Sequence, residues 1–158
     1  MRDFIFRLFY LKNELIRKIL VATDGSEHAQ RALQYAEESA LKWNSEILIV
    51  SVVPPISPLL VPTPGFNLEK YMSELENAHR NVLVEAVEDV KKKSPEIKIS
   101  THLGKGRPAD IIISVADKEK VDLIVMGSRG FGSISHLLLG STSRYVVENC
   151  TKPILIIK

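Results

Sequence analysis

Five short apolar runs punctuate this 158-residue chain, at 19–23, 47–53, 97–103, 121–126 and 153–157. Most are continuous in Val, Ile and Leu, the pattern of strands covered by helices on both faces. The run at 97–103 alternates apolar and polar residues and belongs nearer a sheet edge. Between the runs, apolar residues recur at helical spacing. Ala29, Leu33, Ala36, Ala40 and Leu41 predict a helix from an N-cap at Ser26 to about Trp43. Leu75, Val82, Leu83, Ala86, Val87 and Val90 give the inner side of a longer helix over 68–93. Pro108 opens a third helix, to about Lys118, at the first helical position, where its missing N–H costs nothing. A fourth spans about 138–149. The stretch 54–67 holds Pro54, Pro55, Pro58, Pro62 and Pro64, so it reads as a stiff surface loop. The order βαβαβαβαβ with right-handed crossovers predicts an α/β fold: a doubly wound, five-stranded parallel sheet in the order 3-2-1-4-5.

Composition narrows this picture only slightly. An apolar content of 45% and a charged content of 25% are ordinary for one globular domain. A net charge of +2 makes no case for nucleic-acid binding. The N-terminus is the basic part: residues 1–17 place Phe4, Leu8, Leu11 and Leu15 on one helical face and Arg7, Glu14 and Arg17 opposite. The chain therefore divides into an amphipathic extension, 1–17, and a domain, 18–158. The extension is expected to dock on its own domain or on a dimer mate, with an anionic membrane surface as the second option. Residues 4–11 look like the core of a signal peptide, but Arg7 interrupts them and no small-residue cleavage site precedes Lys12. No run reaches the roughly 20 apolar residues of a membrane span. Cys150 is the single cysteine, which suits a reducing cytoplasm and reads as a helix-end residue packed inward.

The chemistry concentrates at two strand exits. Thr23-Asp24-Gly25 follows the first run, and Gly127-Ser-Arg-Gly130, nine residues and Gly140-Ser141 follow the fourth. In a sheet ordered 3-2-1-4-5 the winding reverses between strands 1 and 4, so both exits meet at the crevice where such folds take ligands. Gly127 and Gly130 are expected to let the backbone approach phosphates. Gly140, Ser141 and Thr142 would offer N–H groups at a helix start, and Arg129 a neutralising charge. Asp24 would accept from ribose or adenine, or help hold Mg²⁺, and Val52 would wall the base. Gly104-Lys-Gly-Arg-Pro108 lacks the GxxxxGK[ST] spacing and reads as a turn before a helix. His28, His79, His102 and His136 share no ligand spacing and read as surface or helix-lining residues.

At these residues the chain resembles the universal stress protein family, specifically its ATP-binding branch. The likeness rests on Lys18-Ile-Leu-Val-Ala-Thr-Asp-Gly-Ser26, Val121-Asp-Leu-Ile-Val-Met-Gly-Ser-Arg-Gly130, Gly140-Ser141 and Lys152-Pro-Ile-Leu-Ile-Ile157. It implies ATP held by the glycine motif and a homodimer formed by antiparallel pairing of the last strands (Pro153–Ile157). Carried over by position, the implied ATP contacts are Ala22, Thr23, Asp24, Val52, Met126, Gly127, Arg129, Gly130, Gly140, Ser141 and Thr142. Members commonly begin near Lys18, which leaves the extension and the proline-rich loop as departures.

The expected function is an ATP-binding stress-response regulator, cytoplasmic, in which the nucleotide lies between strands 1 and 4 and acts as a switch in a homodimer with an unidentified protein partner. No nucleophile–base pair flanks the motif, so fast turnover is not expected. A slow Mg-dependent ATPase using Asp24 is the first alternative. An ATP-activating enzyme would want a Ser-Gly-Gly-x-Asp-Ser loop that this first strand exit lacks. A nucleotide-independent interaction module is disfavoured by the complete glycine motif.

Overall fold

The computed structural model describes residues 16–56, 65–131 and 139–158. The elements run β1 (Lys18–Ala22), α1 (Glu27–Trp43), β2 (Glu46–Val53), α2 (Leu68–Lys93), β3 (Ile99–Lys105), α3 (Pro108–Lys118), β4 (Leu123–Gly127), α4 (Ser141–Asn149) and β5 (Ile154–Ile157). The expectations for residues 1–15, for most of the proline-rich loop (57–64) and for His136 fall outside the described residues; the fourth helix, expected from about 138, starts only at Ser141, after an extended Gly140.

All strand pairs are parallel, in the order β3-β2-β1-β4-β5. Side-chain alternation sorts the strands onto two faces. Ile19, Val21, Ile47, Ile49 and Val125 pack with Ala32, Ala36, Leu83, Ala86 and Val90, on the α1 and α2 side. Leu20, Leu48, Val50, Ile124 and Met126 pack with Ile112, Val115, Ala116 and Val146, on the α3 and α4 side. Ile19, Leu20, Ile47, Ile49 and Ile124 are fully buried. Each such side chain contributes about 1.5–3 kcal/mol. The continuous apolar runs are thus explained by cover on both sides.

Several bounds move, for identifiable reasons. β3 begins at Ile99, because Ile97 is a buried turn residue whose N–H bonds to Ser94 O. It extends to Lys105, since Gly104 and Lys105 pair with Val52 and Val53. β4 starts two residues later than expected. Val121 N–H closes onto Ala116 O, and the Asp122 carboxylate accepts from Arg17 N and Lys18 N at 2.8 and 3.0 Å. On the long helix only Leu83, Ala86 and Val90 are buried; Leu75, Val82 and Val87 are half-covered. Cys150 is partly exposed at the end of α4 and leans on the core of that face.

Two local devices position the strand exits. Gly25 turns the chain at φ +87°, a region that favours glycine, and Ser26 then caps α1 through Ala29 N–H. Gly140 is the N-cap of α4 but supplies no side-chain acceptor. That leaves the first turn of α4 without a side-chain cap. Among the described residues no helix is long and apolar enough to cross a membrane.

Candidate functional site

The C-terminal ends of β1, β2 and β4 open into a cavity of about 630 Å³, within the range of roughly 300–1,000 Å³ usual for small-molecule sites. All eleven positions singled out by the sequence lie on its wall. The pairing of Ala22 with Met126 and of Ala22 with Val50 brings the three exits side by side. Val50, Val52, Pro54, Pro108 and Ile112 make an apolar side, and α4 contributes its N-terminal turn.

Asp24 ties the two exits together. Its Oδ1 accepts from Ser26 N at 3.0 Å and its Oδ2 from Phe131 N at 3.1 Å. The carboxylate is therefore a brace for the glycine turn as well as a cavity residue. A Cβ at Gly130 would overlap Asp24 Oδ2, so a side chain there fits only if that carboxylate moves. Gly127 is similar. A Cβ on it would lie 2.8 Å from the carbonyl carbon and Cβ of His28, and 3.0 Å from Ala29 N. These two glycines were expected to open the backbone to phosphates; what excludes a side chain at each is protein packing. Gly140 differs. A Cβ there would meet its nearest atoms at 3.5 Å, ordinary contact, with φ −70° and ψ 165° that suit any residue.

Ser128, buried between the glycines, is the hub of the turn. Its N–H donates to Ile157 O at 2.7 Å, and its carbonyl accepts from Gly140 N at 2.7 Å and Ser143 Oγ at 2.8 Å. Its hydroxyl lies 3.3 Å from His28 Nδ1. The sequence reading passed over Ser128 and Ser143, since nothing local marks a serine as a junction.

Arg129 gives the site its electrostatic character. Its Nε is buried and has no hydrogen-bond partner among the described residues. A buried guanidinium N–H without an acceptor is rare and costly. It stands beside the uncapped start of α4, where helix N–H groups and the dipole favour an anion. The two features fit a phosphate chain. A metal site is less well furnished. Asp24 is the one carboxylate on the wall, and no cluster of His, Cys, Asp or Glu that could hold a metal occurs among the described residues.

His79 was expected to line a helix, and it does, but on the cavity wall. Its Nδ1 lies 2.8 Å from Ser51 Oγ. Burial lowers its pKa below the ordinary 6.5, and the charge of Asp24 partly opposes that. Two sequence signals could have found this pair. Ser51 is the polar residue inside the apolar run 47–53, and His79 follows Leu75 by one helical turn. Of the expected turn at Gly104–Pro108 only Gly106-Arg107 is one: Gly104 and Lys105 belong to β3 and Pro108 starts α3, while Gly106 sits at φ +134° and Arg107 stacks 4.0 Å over the Tyr145 ring.

Fold and cavity define a doubly wound α/β protein with its candidate ligand site at the topological switch point. The profile of the universal stress protein family matches residues 15–158. The chain is 35% identical over 159 residues to universal stress protein MJ0531 of Methanocaldococcus jannaschii, across 95% of this chain and 91% of that one. The solved structure of MJ0577, from the same organism, superposes with a TM-score of 0.73 at 28% identity, covering 91% of this chain and 96% of that one. A universal stress protein crystallised in complex with cAMP gives a TM-score of 0.69 at 27% identity, covering 92% and 99%. The chain belongs to the universal stress protein family.

Proposed function

We propose that this chain is an ATP-binding regulatory protein whose nucleotide occupies the cavity between the exits of β1 and β4. The observation that carries the reading is the buried Nε of Arg129, without a partner among the described residues, on a residue beside the start of α4, which lacks a side-chain cap. An anion satisfies both at once. The apolar side formed by Val52, Met126 and Ile112 suits a purine. A relative of the same fold holds an adenine nucleotide, cAMP. In this reading Gly140, Ser141, Thr142 and Arg129 take the phosphates, while Ala22, Thr23, Asp24, Gly127 and Gly130 line the middle of the site. Mg²⁺ would arrive with ATP, coordinated mainly by phosphates and water. Asp24 would contribute at most one oxygen that already accepts a backbone N–H.

Residues 18–158 form the binding domain in this reading and 1–17 an appendage to it, in a cytoplasmic protein. The same reading includes a homodimer through the last strand. Ile154–Ile157 is an edge strand of four half-buried aliphatic residues with no charge or proline within it. Natural edges exposed to water are normally blunted by such residues. Pro153 O accepts from Ile124 N–H in β4 and Ile157 O from Ser128 N–H just beyond it, so alternation turns the N–H of Ile156 outward. Ile156→Pro should then leave β5 paired to β4 and yield a monomer by light scattering. A dimer that survives the substitution would move the interface elsewhere.

The deciding experiment is nucleotide content. Purified protein is denatured, its supernatant analysed by anion exchange, and added Mg-ATP followed over hours. Persistent stoichiometric ATP is the expected result. Steady conversion to ADP that stops in Asp24→Ala would make the protein a slow ATPase. Neither content nor uptake would sink the nucleotide reading.

A further inference from the structure

His79 and Ser51 stand on the cavity wall or directly behind it, and the nucleotide reading as stated gives them no task. Ser51 lies on β2 between Val50 and Val52 and is completely buried. A buried hydroxyl needs an acceptor for its proton. The partner that Ser51 Oγ finds among the described residues is His79 Nδ1, at 2.8 Å. With Ser51 as the donor, the imidazole proton sits on Nε2 and the ring is held in one orientation. No described residue pairs with Nε2. The result is an oriented N–H donor on a residue that faces the cavity.

The other groups around His79 select what that donor meets. Asp24, at the β1 exit, is near enough for its charge to act on the imidazole. Together they present an acceptor-only carboxylate and an N–H donor to the same part of the cavity. A phosphate oxygen would be repelled by Asp24 and attracted only by His79. A hydroxyl suits both, since it donates to one and accepts from the other. The strand order puts the β1 exit between the base wall at Val52 and the phosphate end at Arg129. A nucleotide spanning that distance carries its sugar over Asp24.

We propose that His79, oriented by Ser51, donates through Nε2 to a ribose hydroxyl that in turn donates a hydrogen bond to the Asp24 carboxylate, so that the site distinguishes ribonucleotides from deoxyribonucleotides. The assignment rests on the nucleotide reading above and adds a specificity-determining residue to it. It also gives α2 a part in binding, although none of the sequence motifs lies on that helix.

The test is isothermal titration of the full chain with ATP, 2′-deoxyATP and 3′-deoxyATP. Wild-type protein should bind ATP more tightly than at least one deoxy analogue, by roughly 3- to 10-fold, the worth of one hydrogen bond. In Ser51→Ala/His79→Phe, which removes both halves of the pair and keeps an aromatic ring, all three should bind equally, at the level of the weaker analogue. A structural role alone would weaken the three together and keep their ratio. Should that variant fail to fold by circular dichroism, Ser51→Ala serves instead; it keeps the imidazole, frees its proton, and should narrow the ratio. An unchanged ratio in a folded variant overturns the assignment, and so does a wild-type protein that binds ATP without discrimination. Wild-type protein that takes up none of the three overturns the nucleotide reading along with it.

Discussion

The two ends of the glycine motif look alike in sequence and differ in what holds them. At 127–130 the backbone is pressed against the rest of the protein: Gly127 against the first turn of α1, Gly130 against the Asp24 carboxylate. At 140–142 the chain has room, and the start of α4 is uncapped. Both ends line the cavity, the first held by contacts within the protein and the second with room beside Gly140. Glycine is thus used for two purposes within fourteen residues: close packing of the chain on itself, and an open approach. A motif read as one phosphate-binding unit hides that division.

The division can be broken most forcefully at Gly127. Gly127→Ala would set a methyl against backbone atoms of His28 and Ala29 that no rotamer change can move. Forced overpacking of this kind typically costs about 1–3 kcal/mol, so the urea midpoint should fall markedly. Unchanged stability would mean that α1 slides easily over β4. Gly130→Ala comes next. Its methyl meets a carboxylate oxygen, which can rotate away only by giving up the bond from Phe131 N–H. A loss of about 1–2 kcal/mol follows from one broken hydrogen bond to a charged group. Because the obstacle is Asp24 itself, Gly130→Ala should cost much less in an Asp24→Ala background. Strict additivity in that double-mutant cycle would refute the contact.

Gly140→Ala sharpens the contrast from the other side. The added methyl makes ordinary contacts at an unstrained backbone position, so stability should change by less than about 1 kcal/mol, the scale of an N-cap exchange. ATP affinity, in the proposed reading, should fall by about tenfold for an approach lost at the phosphates, equivalent to roughly 1.4 kcal/mol. A stable variant with full affinity would place the phosphates away from α4. Gly127→Ala and Gly140→Ala thus form a crossed pair, one read in urea and the other by titration.

How much of this was legible beforehand follows the same line. Continuous apolar runs can be satisfied only by burial on both faces, so the parallel sheet was recoverable from the pattern, while the order 3-2-1-4-5 is one of several windings that right-handed crossovers allow. The residues at the strand exits were recoverable too, because a doubly wound sheet brings fixed strand exits together whatever their side chains, whereas Ala22 and Met126 came with the family resemblance. What one glycine does was not. A missing side chain leaves the same mark whether a ligand or a neighbouring backbone excludes it, and only the position of His28 or Asp24 decides. Strand ends slipped for a related reason. Val121 and Ile97 are as apolar as the strands they precede, but bonds to Ala116 O and Ser94 O keep them in turns. His79 carried no motif, and its place at the cavity depends on α2 lying across β2.

The smallest expected effect concerns that histidine and tests whether the α2 side of the cavity is as firmly built as the glycine turn. Burial holds the His79 pKa below 6.5 in the folded protein, with the Asp24 charge opposing the shift. The unfolded chain therefore takes up this proton more readily than the folded one. Above pH 6.5 both states are neutral and the group is without effect. As the pH falls from 6.5 toward the lower folded value, protonation favours the unfolded state and stability drops; below that value the loss is constant. The urea midpoint should decline between pH 7.5 and 5.5, less steeply in Ser51→Ala/His79→Phe than in wild type. Identical slopes would mean that the imidazole is as well solvated folded as unfolded, and that the wall it occupies yields far more readily than Gly127 and Gly130.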